Sequence, residues 1–92
     1  MKFEWDDAKN KANILKHRLD FADVPPVFDG PMFTVHDTRR AYGEDRIVGI
    51  GLLRSGVIVV VYVERRDDII RLISARKARK HEREKFEDEV SN

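Results

Sequence analysis

Apolar and polar positions change period three times along this chain, and the order of those periods predicts an α+β fold. Lys2 to Trp5 alternates, which places Phe3 and Trp5 on one face of a short strand. Ala8, Ala12, Leu15 and Leu19 then recur at spacings of three and four. That spacing predicts a helix from about Asp7 to His17, with this narrow stripe turned inward and Lys9, Asn13, Lys16 and His17 outward. Asp6 is placed to cap the helix, and Asp7 puts negative charge where its dipole favours it. Asp20 caps a second short helical turn, Phe21 to Val24, which Pro25-Pro26 ends because the residue before a proline avoids helix.

Alternation returns in Phe33 to His36, and the polar stretch Asp37 to Asp45, with Gly43 in it, reads as a hairpin connection. Arg46–Leu53, Val57–Val63 and Asp68–Ser74 follow as strands joined by Arg54-Ser55-Gly56 and Arg65-Arg66-Asp67. Linkers this short require antiparallel neighbours, so four strands form an antiparallel meander. Val57 to Val61 is apolar on both faces, as a central strand is; Gly49 and Gly51 leave one strand face bare for close packing by a helix or a partner. From Ala75 the chain turns helical, anchored only by Ala75, Ala78, Phe86 and Val90.

Length keeps residues 1–92 to a single domain, near the size at which burial only just outweighs ordering entropy. Cysteine is absent, so no thiolate metal site or disulfide exists, and a reducing cytoplasm fits. No apolar run approaches the roughly 18 residues of a membrane span, and the first residues lack a signal-peptide pattern. A cytoplasmic protein is the expectation. The net charge of +1 hides a division: Arg71 to Lys85 carries seven basic residues against two acidic ones, before Glu87, Asp88 and Glu89.

One ordered series runs through most of the chain: Phe3-Glu4-Trp5-Asp6, Lys9, Asn13, Lys16-His17, Phe21-Ala22, Asp37-Thr38-Arg39, Tyr42-Gly43-Glu44, Arg46, Gly49, Glu64-Arg65, Ile73-Ser74-Ala75-Arg76, Ala78 and Glu82-Arg83. In this series the chain resembles the BrnT toxins of the BrnT–BrnA type II toxin–antitoxin systems, whose fold is similar to the RelE-type ribonucleases. One departure is Phe86, where many relatives carry tyrosine. The resemblance implies an endoribonuclease that cuts cellular RNA and blocks translation without metal or cofactor. It also implies a BrnA-like antitoxin that covers the basic surface, a toxin dimer within a heterotetramer, and operator DNA bound only through the antitoxin. Gly49, Gly51 and the last helix are the candidate dimer contacts.

Cutting RNA without a metal needs a base for the 2′-hydroxyl proton, cations for the developing phosphate charge and an acid for the leaving oxygen. Arginine suits the cation best, because its planar fork matches two phosphate oxygens and stays charged. The resemblance points to Arg65 and Arg76, at opposite ends of the last strand, so both meet one phosphate only if the fold curves or a helix intervenes. Arg65 otherwise reads as a solvated turn residue. Arg76, taken as a helix-start cation, opposes the dipole by ~0.3–1 kcal/mol, which invites a functional reading.

His17 and His36 are the candidate imidazole bases; RelE-like ribonucleases often lack a clear histidine base, so the alternatives are Glu64, a lysine, or charge stabilisation alone. Against these stand bland readings: His17 as a positive charge ending its helix, and His36 and His81 as solvated surface. Lys16, Arg46, Arg71, Lys77, Arg79, Lys80 and Arg83 form the expected RNA-binding surface, although Lys80–Glu84, Arg83–Glu87 and Lys85–Glu89 can pair along a helix for ~0.2–0.5 kcal/mol each. Phe3, Trp5, Phe28 and Phe33 read as core rather than as base-stacking platforms. Glu4, Asp6 and Asp7 crowd one turn without His-rich ligand spacing, so no metal site is expected. The rival function is a noncatalytic nucleic-acid- or protein-binding module in which the arginines only grip phosphate.

Overall fold

A computed structural model describes residues 1–37 and 44–90. It contains strands β1 (Lys2–Glu4), β2 (Met32–Asp37), β3 (Arg46–Leu53), β4 (Gly56–Arg65) and β5 (Ile69–Lys77), and helices α1 (Asp7–His17) and α2 (Lys80–Val90). The strands form one mixed sheet in the order β1-β5-β4-β3-β2. Neighbours from β2 to β5 are antiparallel, whereas β1 lies parallel to β5, pairing Lys2 with Ile69 and Glu4 with Arg71. The expected connection between Asp37 and Asp45 falls, for residues 38–43, outside the described residues, as do the motif positions Thr38, Arg39, Tyr42 and Gly43.

Local chemistry sets the ends of α1. The Asp6 carboxylate accepts the Lys9 N–H at 3.0 Å, and Arg18 closes the helix in the left-handed region (φ 58°), its N–H donating to Ile14 O at 2.8 Å. Asp20 accepts the Ala22 N–H and caps a 3-10 turn, Phe21–Asp23. Pro25-Pro26 ends that turn as expected and then opens a second one, Pro25–Asp29, since proline is pre-set for a first helical turn.

Three expectations are corrected. The last strand runs to Lys77 rather than stopping at Ser74, because Ala75, Arg76 and Lys77 go on pairing with Val60, Val59 and Ile58 of the long, apolar β4. Pairing here overrides the helix preference of Ala, Lys and Arg, so Ala75 and Arg76 belong to a strand.

The stripe of Ala8, Ala12 and Leu15 does not face inward: all three are exposed, Leu15 at 82%. α1 instead turns Asn10, Asn13 and His17 inward, Asn10 onto Asp20 and Phe21 of the 3-10 turn and Asn13 onto β5. β1 covers only residues 69–71 of β5, so the outer edge of Ala75 lacks a strand, and the Asn13 amide replaces it. Its nitrogen donates to Ala75 O (2.9 Å) and Leu19 O (2.8 Å), and its oxygen accepts the Ala75 N–H (3.1 Å). An alanine or leucine stripe could not supply those bonds.

Gly49 and Gly51 are packed by their own chain, against Met32, Tyr62, Thr34 and Val27, so they are not open to a partner. The two faces of the sheet carry separate cores. Phe21, Val24, Val27, Ile58, Val60, Tyr62 and Leu72 fill the side of the 3-10 turns, with Phe3, Trp5 and Phe28 packed against them. On the other side Ile50 and Val59 meet Ala78 and Phe86 of the C-terminal segment, which anchors α2.

Candidate active site

Strand register decides which arginines can meet. Arg76, Ser74 and Arg71 of β5 sit opposite Val59, Val61 and Val63 of β4, and Arg65 sits opposite Ile69. The register shift at Val61/Tyr62 absorbs Ile73, so all of these side chains keep to one face, the face on which α2 packs. α2 leans on β2 and β3 and leaves Val61, Ile73 and Ser74 half-buried in an open strip. Arg65 and Arg76 therefore share a face but lie far apart along it: Val59 and Arg65 are six residues apart on β4, about 20 Å at the rise of a strand.

The Arg76 end is built for an anion. A guanidinium has five N–H donors. Two meet Glu82, Nη1 with Oε1 at 2.7 Å and Nη2 with Oε2 at 2.8 Å, and a third reaches Lys77 O at 3.3 Å. The Nε–H and one Nη2–H remain, side by side, with no partner among the described residues. Glu82 fixes the orientation of that free fork. Its carboxylate also accepts the N–H of Arg79, which precedes α2, at 2.8 Å, a reach back from the third residue of the helix that stabilises its start. The Arg76 hydrogen bonds hold Glu82 down at about 2, well below its ordinary 4.5. The pair is partly sheltered, with side-chain exposures of 27% and 15%.

His17 lies at the end of α1, one turn beyond Asn13, and its charge interacts with Arg76. Burial, then Lys16, then Arg76 lowers its pKa below 6.5, so it is neutral at pH 7 and able to accept a proton.

The Arg65 end is different. Arg65 lies between Glu44 (3.3 Å) and Glu4 (3.5 Å), and Arg71 holds the same Glu4 oxygen at 2.8 Å. Among the described residues, three arginines here (Arg65, Arg66, Arg71) and the Met1 ammonium, paired with Asp68 at 2.8 Å, face five carboxylates (Glu4, Glu44, Glu64, Asp67, Asp68). The ion pairs tie β1 to β4 and β5. Glu64 is exposed beside this cluster, remote from His17 and Arg76 along β4.

The remaining predicted residues scatter. Lys16, Lys77, Arg79, Lys80 and Arg83 are exposed around the Arg76 end, with Arg83 also donating to Ala78 O at 3.0 Å. Arg46 starts β3 opposite Asp37, while His36 on β2 and His81 on α2 are exposed. Among the described residues no three His, Cys, Asp or Glu side chains group as metal ligands, and no helix is long and apolar enough to cross a membrane. Sequence reasoning missed Glu82, Asn13 and Arg18. A Glu three residues past a helix start was a signal for the first, and a bulky residue just past a helix end for the last.

Comparison with known proteins bears on this geometry. The family model described as the ribonuclease toxin, BrnT, of type II toxin–antitoxin systems matches residues 5–82. The 1.1 Å crystal structure of the Brucella abortus ribonuclease toxin, BrnT, superposes with a TM-score of 0.68 at 32% identity, covering 87% of this chain and 99% of that one. No curated protein matches the chain.

Proposed function

The chain belongs to the BrnT family of ribonuclease toxins of type II toxin–antitoxin systems, and from that premise we propose that it cuts RNA at Arg76 without a metal ion. The observation that carries this reading is the free Nε/Nη2 fork of Arg76, oriented by Glu82 beside a neutral His17. His17 takes the 2′-hydroxyl proton, the 2′-oxygen attacks phosphorus, and the bond to the 5′-oxygen breaks as that oxygen takes a proton from water. A 2′,3′-cyclic phosphate and a 5′-hydroxyl result. Two parallel bonds from Arg76 receive the charge that grows on the non-bridging oxygens, which is the task a divalent ion performs elsewhere. Arg65 and Glu64 act in this scheme through the fold of the β1 corner rather than on the phosphate.

As a toxin of this class the chain pairs with an antitoxin and acts on RNA. The finer assignment is a BrnA-like antitoxin covering the basic end, a toxin dimer within a heterotetramer, operator DNA bound through the antitoxin, and cleavage of cytoplasmic RNA that stops translation. A RelE-like fold is in line with a mixed sheet, antiparallel from β2 to β5, flanked by one helix at its edge and one on its face.

Purified chain incubated with RNA in EDTA tests the reading. Arg76→Ala lowers kcat by roughly 10²–10³-fold and His17→Ala by roughly 10²–10⁴-fold. Arg65→Ala stays within a few-fold of the parent once folded protein is compared. Unchanged cleavage in Arg76→Ala assigns the phosphate to another residue, and no cleavage by the parent favours the noncatalytic binding module instead.

A further inference from the structure

Beside the end of β5 a groove of about 830 Å³ opens between the close of α1 and the β3–β4 turn. Its volume lies within the ~300–1,000 Å³ typical of sites for small organic ligands. Arg18, Arg54 and Lys77 line it, and no side-chain hydrogen bond or ion pair engages any of the three among the described residues. Leu19, Pro26 and Leu52 supply apolar surface, with Leu52 58% exposed. Asp23 is the one acidic lining residue.

We infer that this groove holds a nucleotide flanking the scissile phosphate, its base on the apolar floor and its phosphate between Arg18, Arg54 and Lys77; the inference rests on the ribonuclease reading above. Continuity with the site supports it. Lys77 follows Arg76 and, opposite Ile58, points to the other face of β5, while Arg18 follows His17. A strand bound at the Arg76 fork reaches the groove by passing the end of β5.

Arg18 adds a separate argument. It sits at φ 58°, ψ 32°, a conformation in which glycine or asparagine is favoured at a helix end. A large cation kept where a smaller residue fits the backbone better points to a use for the side chain. Charge complementarity selects the occupant: three cations against one lining carboxylate, Asp23, leave a positive excess that matches the phosphates of a nucleic acid, and every base offers a flat apolar face to the floor.

The test compares parent, Arg18→Gly and Arg54→Ala on a short RNA, and on the same oligonucleotide with a 2′-deoxy position at the cut that blocks reaction. Each variant is expected to raise KM and the Kd of the uncleavable strand about tenfold and to keep kcat within twofold. The slope of log Kd against log salt flattens by about 0.7 for each cation removed. Arg18→Gly also melts at the same temperature as the parent or higher, which a residue kept for stability would not do. Unchanged Kd and salt slope overturn the proposal. So does normal RNA binding combined with lost affinity for the antitoxin, which gives the groove to that partner. A parent that cuts nothing defeats the ribonuclease reading alone, since the uncleavable strand still reports on the groove.

Discussion

Replacing Glu82 by Gln keeps the shape of the side chain and removes the charge that pairs with Arg76, so its cost isolates that pair. A carboxyl held at about 2 instead of 4.5 corresponds, at 1.36 kcal/mol per pH unit, to about 3 kcal/mol of stability linked to its ionisation. Both partners keep some contact with water, at 27% and 15% exposure, and screening reduces the expected loss to about 1–2 kcal/mol. The sign follows from the depressed native value. The stabilisation is complete above the unfolded-state 4.5 and disappears as pH falls from there through about 2, where the native carboxyl is protonated as well. Urea unfolding of parent and Glu82→Gln at pH 7 and again at pH 2 measures this. The variant is expected to be weaker at pH 7, with the gap intermediate at pH 3 and down to about 0.4 kcal/mol at pH 2, where the native carboxyl is half protonated. Equal stabilities at pH 7, or a gap that does not close with acid, would refute the reasoning that the ionised pair orients Arg76.

Other outcomes follow from the same geometry. Asn13→Leu leaves the N–H and C=O of Ala75 unpaired at the buried strand edge and is expected to cost about 2–4 kcal/mol in denaturant unfolding; a loss under 1 kcal/mol contradicts the strand-edge role. Gly51→Ala puts a Cβ 2.6 Å from Val27 Cγ2 and 3.1 Å from Met32 Cγ, which costs about 1–3 kcal/mol by the same measurement, and a neutral result means that face is looser than described. Because His17 must be neutral to act and burial with Lys16 and Arg76 lowers its pKa, the acid-side inflection of kcat/KM is expected below the ordinary imidazole value of 6.5. Lys16→Met removes one of the charges that lower it, so the inflection moves up; an unmoved inflection assigns the base elsewhere.

Much of the fold was legible because alternation reports strands directly. The central strand, the antiparallel order and the capped first helix all follow from Val57 to Val61, short linkers and Asp6. Where the reading went astray, a long-range partner decided the outcome. Nothing local to Ala75-Arg76-Lys77 announces a strand; ten residues of β4 do. Nothing in α1 announces that Asn13 faces inward while Leu15 faces out, since the demand comes from a strand edge 62 residues away. The site divides the same way. Arg76 and His17, which the proposed mechanism uses, were named in the sequence as types suited to the chemistry, but Glu82, which holds the Arg76 guanidinium, needed the turn between β5 and α2 to be seen. Arg65 has the right chemistry too, yet its register sets it about 20 Å along the sheet among carboxylates.

A crystal structure bound to the 2′-deoxy oligonucleotide shows whether one fork of one arginine receives the scissile phosphate. Non-bridging oxygens are expected about 2.7–2.9 Å from Nε and Nη2 of Arg76, with the Glu82 pair intact and the imidazole of His17 facing the 2′ position. A phosphate seated instead between Arg65 and Arg71, with the Arg76 fork empty, would contradict it.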